Sequence, residues 1–264
     1  MFMHYNSRFI KKVQDLDSTL VSPIITPRFA PACDMELMQG LANLSRSYDL
    51  PIQSHISENK SEINWIKELY PQSLHYSDVY DRCGLFTNKT VMAHGIYLCD
   101  EELDLIVDRG VGIAHCPNSN TSLRSGLCDV RRLLDHGIKV GLGTDVSGGF
   151  SPSMLNAIRM STQVSNTISM QKNKYEHLDY REAFRLATLG GSKVMGLDKE
   201  IGNFEKGKQF DALRINPYVI DSPYDLFKRD EIEDSIQKFF YLGDDRNITN
   251  VYVAGREVHA RNHI

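Results

Sequence analysis

The sequence predicts an α/β fold with a mostly parallel sheet, followed by a small β-rich tail. Two observations predict it. Up to residue 198, short apolar runs recur and each is followed by a stretch with helical spacing, the alternation of βα units. From residue 199 onward the alternation gives way to turn-rich segments and isolated strand-like runs. The expected division is therefore 1–198 and 199–264.

The elements follow in order. VSPIIT at 21–26 leads through PRFAPACD into a helical stretch at 35–47. LPIQSH at 50–55 is followed by a helix at 58–69, and TVMAH at 90–94 by one at 100–108. GIAH at 112–115 leads into a PNSN turn and a helix at 128–136. KVGL at 139–142 leads into GTDVSGG and a helix at 154–164, with a further helix around 180–190. In the tail, 211–215 reads as a strand and 216–230 as a loop containing two prolines. Residues 251–253 and 256–258 flank Ala254-Gly255 as a hairpin. Five strands are too few to close an eight-stranded barrel, so a barrel reading implies that its first strands are missing. A doubly wound sheet also places chemistry beyond its strand ends, so both architectures stay open.

Composition narrows the partners. A net charge of -4 offers no basic footprint for nucleic acid, yet leaves room for an uncharged nucleobase. The five cysteines are odd in number, irregular in spacing and form no CxxC pair, which argues against a disulfide framework. No uncharged apolar stretch is long enough to span a bilayer, and the opening MFMHYNSRFIKK is too weakly apolar for a signal peptide. The expectation is a cytoplasmic protein with no membrane partner.

Several chemistry-bearing residues lie at or just past strand ends. In HISE, His55 could ligate a metal as a neutral imidazole while Glu58 handles protons. One such His–Glu pair is equally what a surface pair or a helix cap looks like. In MAHG, His94 could orient a water or polarise a leaving group, or be a hydrogen-bonded core histidine. In GLGTD, Asp145 could be a hard oxygen ligand and proton acceptor, or a turn or cap residue. The glycines there lack the GxGxxG order of a dinucleotide site. In TPRFA, Arg28 can donate to a carbonyl and Phe29 can wall a planar heterocycle, although a surface arginine beside a core aromatic explains them too. In HCPNSN, His115 and Cys116 are neighbours on a strand and point to opposite faces, so a structural role is expected for both. The other histidines, His4, His75, His136, His177, His259 and His263, carry no functional argument.

Taken together, PRFA, QSHISE, TNKTVMAHG, AHCPNSN, GLGTDVSGG, FRLATLGGS and GNFEKGK resemble the guanine deaminases of the amidohydrolase superfamily. The resemblance implies the C-terminal part, about strands 4–8, of a metal-dependent hydrolase TIM barrel, plus a small β-rich segment. It implies Zn2+ held by His55 and Asp145, with Glu58 as acid/base, and His94 and Asp145 acting on the attacking water. It implies a substrate pocket formed by Arg28, Phe29, His55, Glu58, His94 and Asp145. The implied reaction converts guanine and water to xanthine and ammonia, and the implied assembly is a homodimer. Another purine, pyrimidine or S-adenosylhomocysteine deaminase, and a non-catalytic binding partner of a longer paralogue, stay open as alternatives.

The sequence departs from the family in one respect. The family uses an HxH pair on the first barrel strand as two further ligands, and no HxH occurs here. Two protein ligands are one short of the usual three at a catalytic zinc. The expectation is a shortened form of an active enzyme that is inactive by itself.

Overall fold

A computed structural model describes residues 2–261. Helices α1 (Phe2–Gln14) and α2 (Met35–Tyr48) precede β1 (Ile52–Ile56), α3 (Lys60–Leu69) and α4 (Tyr76–Arg82). Next come β2 (Thr90–His94), α5 (Asp100–Arg109), β3 (Gly112–His115), α6 (Pro117–Ser122), α7 (Val130–Asp135) and β4 (Lys139–Leu142). Helix α8 (Met154–Gln171) is followed by α9 (Tyr180–Arg185), which runs through a π-helical turn at Leu186–Gly190 into α10 (Gly191–Val194). The remaining elements are β5 (Ala212–Ile215), α11 (Ile232–Leu242), β6 (Ile248–Val253) and β7 (Arg256–Ala260).

The first four strands form one parallel sheet in sequential order, β1-β2-β3-β4. A doubly wound sheet reverses its strand order at a switch point; no reversal occurs among these strands. The order is that of a barrel-type α/β protein. Ile52, Ile56, Met92, Ile113 and Val140 carry the sheet into the main core, where each is at most 3% exposed.

The expected strand at 21–26 is reduced to a single parallel bridge, Ile25 to Ile52. The Ile25 N–H donates to Pro51 O at 2.9 Å and Ile25 O accepts from the Gln53 N–H at 2.9 Å. Pro23 and Pro27 flank this bridge. Each lacks an amide proton, so the ladder cannot lengthen in either direction.

Sheet and helix approach backbone to backbone at β4. A Cβ added to Gly141 would stand 2.8 Å from Gly191 Cα, and one added to Gly190 would stand 2.5 Å from Val140 O. Gly141→Ala should therefore force backbone movement and cost about 1–3 kcal/mol. Gly191→Ala meets only Leu186 O at 3.7 Å on helical backbone and should be neutral or slightly stabilising. Thermal unfolding of the two variants checks the contrast; equal melting temperatures would refute it.

The tail forms the antiparallel sheet β5-β6-β7. Its hairpin turns at Ala254 and Gly255 with φ of 48° and 76°, the paired positive angles of a type I′ turn. Helix α11 is an element the sequence reading left unassigned. Its signal is the reciprocal cap of Glu231 and Asp234. Phe240 of α11 packs with Ile158, Tyr180 and Ala183. Arg159 of α8 closes the helix end, donating to Phe240 O at 2.6 Å and to Gly243 O at 2.5 Å. Among the described residues no helix is long and apolar enough to cross a membrane.

Candidate active site

Three strand ends bring His55, His94 and Asp145 together. His55 is the penultimate residue of β1, His94 is the last of β2, and Asp145 follows β4 by three residues. Parallel register sets Ile56 beside His94. The His55 and His94 rings stack with centroids 5.4 Å apart and planes inclined by 25°. One ligand atom from each of His55, His94 and Asp145 lies within 4.8 Å of the other two.

The local backbone is unusual at these positions. His94 has φ 76° and Asp145 φ 47°, and Ser57, beside Glu58, has φ 49°. Left-handed geometry at a non-glycine residue costs on the order of 1–3 kcal/mol and tends to collect at functional sites. Surrounding hydrogen bonds hold it here. Gly95 N–H donates to Ile56 O at 3.1 Å, Tyr97 N–H to Ser57 O at 3.1 Å, and Gly149 N–H to Asp145 O at 2.7 Å.

Both imidazoles are oriented by a hydrogen bond on the ring nitrogen away from the cluster. His55 Nδ1 donates to Arg28 O at 2.6 Å, and the buried His94 Nδ1 donates to Asn120 Oδ1 at 2.8 Å. An oxygen acceptor at Nδ1 places the proton there and leaves Nε2 with a free lone pair, the tautomer a metal requires. Imidazole nitrogen and carboxylate oxygen are the donor types of catalytic divalent-metal centres. The residues fit a metal ion.

Glu58 stands beside this cluster. Its Oε2 is 3.7 Å from His94 Nε2, and its Oε1 accepts from Ser125 Oγ at 2.8 Å. Helix α3 starts at Lys60, capped by Asn59 and Glu62, so Glu58 sits on the loop before the helix expected to contain it. Arg28 is exposed, with its guanidinium carbon 5.6 Å from the Phe29 ring centroid. Phe29 meets Trp65 edge-on, with centroids 6.4 Å apart. The Arg28 carbonyl accepts from His55 Nδ1, so the PRFA segment joins the site through its backbone.

HCPNSN is a turn in the sequence reading and a short helix, α6, in the structure. Pro117 supplies a preset first turn. Its polar residues are buried and bind inward: Asn118 Nδ2 donates to Asn156 Oδ1 at 2.6 Å, and Asn118 Oδ1 accepts from Phe150 N–H at 3.2 Å. This ties α6 to the loop carrying Asp145. His115 is fully buried, and desolvation holds its pKa down at about 3. Burial pushes the Cys116 thiol up to about 12, far from the thiolate that nucleophilic attack or metal binding needs. His75 caps α4, accepting from Asp78 N–H at 3.1 Å; His263 and the His4 side chain lie outside the described residues.

Sequence reasoning missed Asn120 and Ser125, the partners of His94 and Glu58. The signal available was the buried polar run itself, since polar residues after an apolar strand need partners.

Comparison with known proteins matches this arrangement. A model of the amidohydrolase family matches residues 3–258. The guanine deaminase of Mus musculus is 56% identical over 255 residues, covering 95% of this chain and 56% of that protein. The crystal structure of guanine deaminase from C. acetobutylicum with bound guanine superposes with TM-score 0.87 at 44% identity, covering 97% of this chain and 59% of that one. A zinc-bound adenosine deaminase from Xanthomonas campestris superposes with TM-score 0.83 at 25% identity, covering 98% and 57%. The chain thus spans little more than half the length of the relatives it matches. With the match running through every strand and loop that carries the site, the chain belongs to the amidohydrolase family.

Proposed function

We propose that this chain serves the zinc-dependent hydrolytic deamination of guanine to xanthine and ammonia. The observation that carries the reading is the cluster of His55, His94 and Asp145 with the Glu58 carboxylate 3.7 Å from its edge. His55 and Asp145 are the zinc ligands, and His94 faces the attacking water. When bound, zinc supplies a Lewis acid that makes water nucleophilic near neutral pH. Asp145 accepts a proton from that water. Glu58, ionised at the start, carries that water's other proton to the purine ring as its oxygen adds to C2. The proton taken by Asp145 then passes by way of Glu58 to the amino group, and the C2–N bond breaks to release ammonia. Such transfers need hydrogen-bond reach, directly or through one water.

Arg28 and Phe29 bind the purine, the guanidinium donating to the ring carbonyl and the aromatic lying against the heterocycle. The guanine-bound relative supports this substrate. The sequential strand order supports a partial (β/α)8 barrel over residues 1–198, in which the Ile25 bridge and β1–β4 are about strands 4–8, with 199–264 as its β-rich companion. Five free cysteines support a reducing, cytoplasmic setting.

The test is steady-state turnover by the full-length protein on guanine, adenosine, cytosine and S-adenosylhomocysteine. Guanine should be preferred, with xanthine and ammonia formed one to one. Arg28→Ala should raise the KM for guanine by about 10- to 100-fold, the loss of a charge-assisted hydrogen bond. Faster turnover of any other substrate would overturn the assignment.

A further inference from the structure

Glu58 has two carboxylate oxygens and they do different things. Oε2 faces His94 Nε2 at 3.7 Å, while Oε1 takes the Ser125 hydroxyl at 2.8 Å. An ionised carboxylate can only accept, so Ser125 is the donor. The terminal torsion of a glutamate is broad and two-fold when nothing holds it. A fixed donor on one oxygen therefore decides where the other points.

Ser125 is well suited to be fixed. It is 9% exposed and lies 67 residues further along the chain from Glu58. Its N–H donates to Asn120 O at 2.8 Å, and its carbonyl accepts from Tyr97 Oη at 2.7 Å. Next to it, Gly126 has φ +153° and no room for a side chain: a Cβ there would stand 2.4 Å from Tyr97 Oη. The turn after α6 is thus packed directly on Tyr97. Asn120 also accepts from His94 Nδ1 through its side chain at 2.8 Å. One residue, Asn120, binds the His94 ring through its side chain and the Ser125 backbone N–H through its carbonyl.

We infer that Ser125 is a positioning residue, holding one Glu58 oxygen so that the other addresses His94 and the reacting water. The inference rests on Glu58 being the proton carrier of the proposed reaction. Ser125 lies outside the His55, His94 and Asp145 cluster and acts through Glu58. The turn of residues 120–125 becomes a clamp that fixes the relative placement of Glu58 and His94, two groups that come from different βα units.

The experiment compares Ser125→Ala, Ser125→Thr and Tyr97→Phe in the full-length protein, by crystal structure and by guanine kinetics. In Ser125→Ala the Glu58 carboxylate should turn or split between orientations. Its kcat should fall about 10-fold, the lower range for losing a hydrogen bond to a charged group, with KM within twofold and zinc content unchanged. Ser125→Thr keeps the hydroxyl and should recover kcat to within about threefold of the parent. Tyr97→Phe loosens the Ser125 carbonyl and should lower kcat in the same direction by less, which keeps the test open if Ser125→Ala does not fold. A Glu58 carboxylate oriented as in the parent in folded Ser125→Ala would overturn the inference. So would equal losses in the Ala and Thr variants. If the parent does not deaminate guanine, the substrate assignment fails, and the orientation of Glu58 in the crystal structures still decides the role of Ser125.

Discussion

In the full-length protein, Asp145→Asn should lower guanine turnover on the order of 10^3-fold and abolish stoichiometric zinc while leaving the fold intact. The amide is nearly isosteric, so packing around it survives. The peptide oxygen of residue 145 keeps its bond from Gly149 N–H at 2.7 Å. What disappears is the negative charge that makes residue 145 a strong oxygen ligand and a proton acceptor. The surroundings give the side chain little freedom to compensate. A Cβ on Gly148 would stand 2.6 Å from Asp145 Oδ2 and 2.8 Å from Ser119 Oγ, so the carboxylate occupies a fitted slot. On the proposed ligand set His55→Ala should lose zinc in the same way, because the Arg28 carbonyl holds the proton on Nδ1 and leaves Nε2 free to ligate. His94→Ala should retain zinc yet lose turnover, which separates a water-facing histidine from a ligand. Metal content by mass spectrometry and steady-state turnover on the three variants check this. Full zinc and near-parental rates in Asp145→Asn would dismiss the metal site.

The sheet was legible because a buried parallel strand is a short apolar run, and Ile52, Met92, Ile113 and Val140 sit in such runs. VSPIIT has the same apolar character, but Pro23 within it and Pro27 after it lack amide protons and leave only a bridge at Ile25. Helix α11 was harder to see because its apolar face, Ile236, Phe239 and Phe240, follows a long irregular loop. His55, Glu58, His94 and Asp145 stood out as a set, because each lies at or just past the end of an apolar strand and parallel strands bring those ends together. Their partners were invisible for the opposite reason. Asn120 lies 26 residues from His94 and Ser125 lies 67 residues from Glu58, so the bonds that orient the site belong to tertiary structure. The helical turn at α6 was read as a loop because asparagine and serine favour turns, whereas here their side chains serve buried partners.

Glu58→Gln should lower kcat by about 10^2- to 10^4-fold, the range for removing a general acid–base group, with zinc retained and KM little changed. Glutamine keeps the length and shape of glutamate, and its carbonyl oxygen can still accept from Ser125 Oγ. It cannot take up and release a proton at neutral pH. Because Glu58 lies outside the proposed ligand set of His55 and Asp145, metal content should match the parent, unlike Asp145→Asn. Equal falls in kcat and in kcat/KM would mark an interaction made in the transition state alone. The pair of variants therefore separates two losses that a turnover assay by itself confounds: one protein without metal, and one with metal but no proton carrier. A Glu58→Gln protein turning over guanine within tenfold of the parent would move the acid–base role to another group. His94, 3.7 Å away, would then be the residue to replace next.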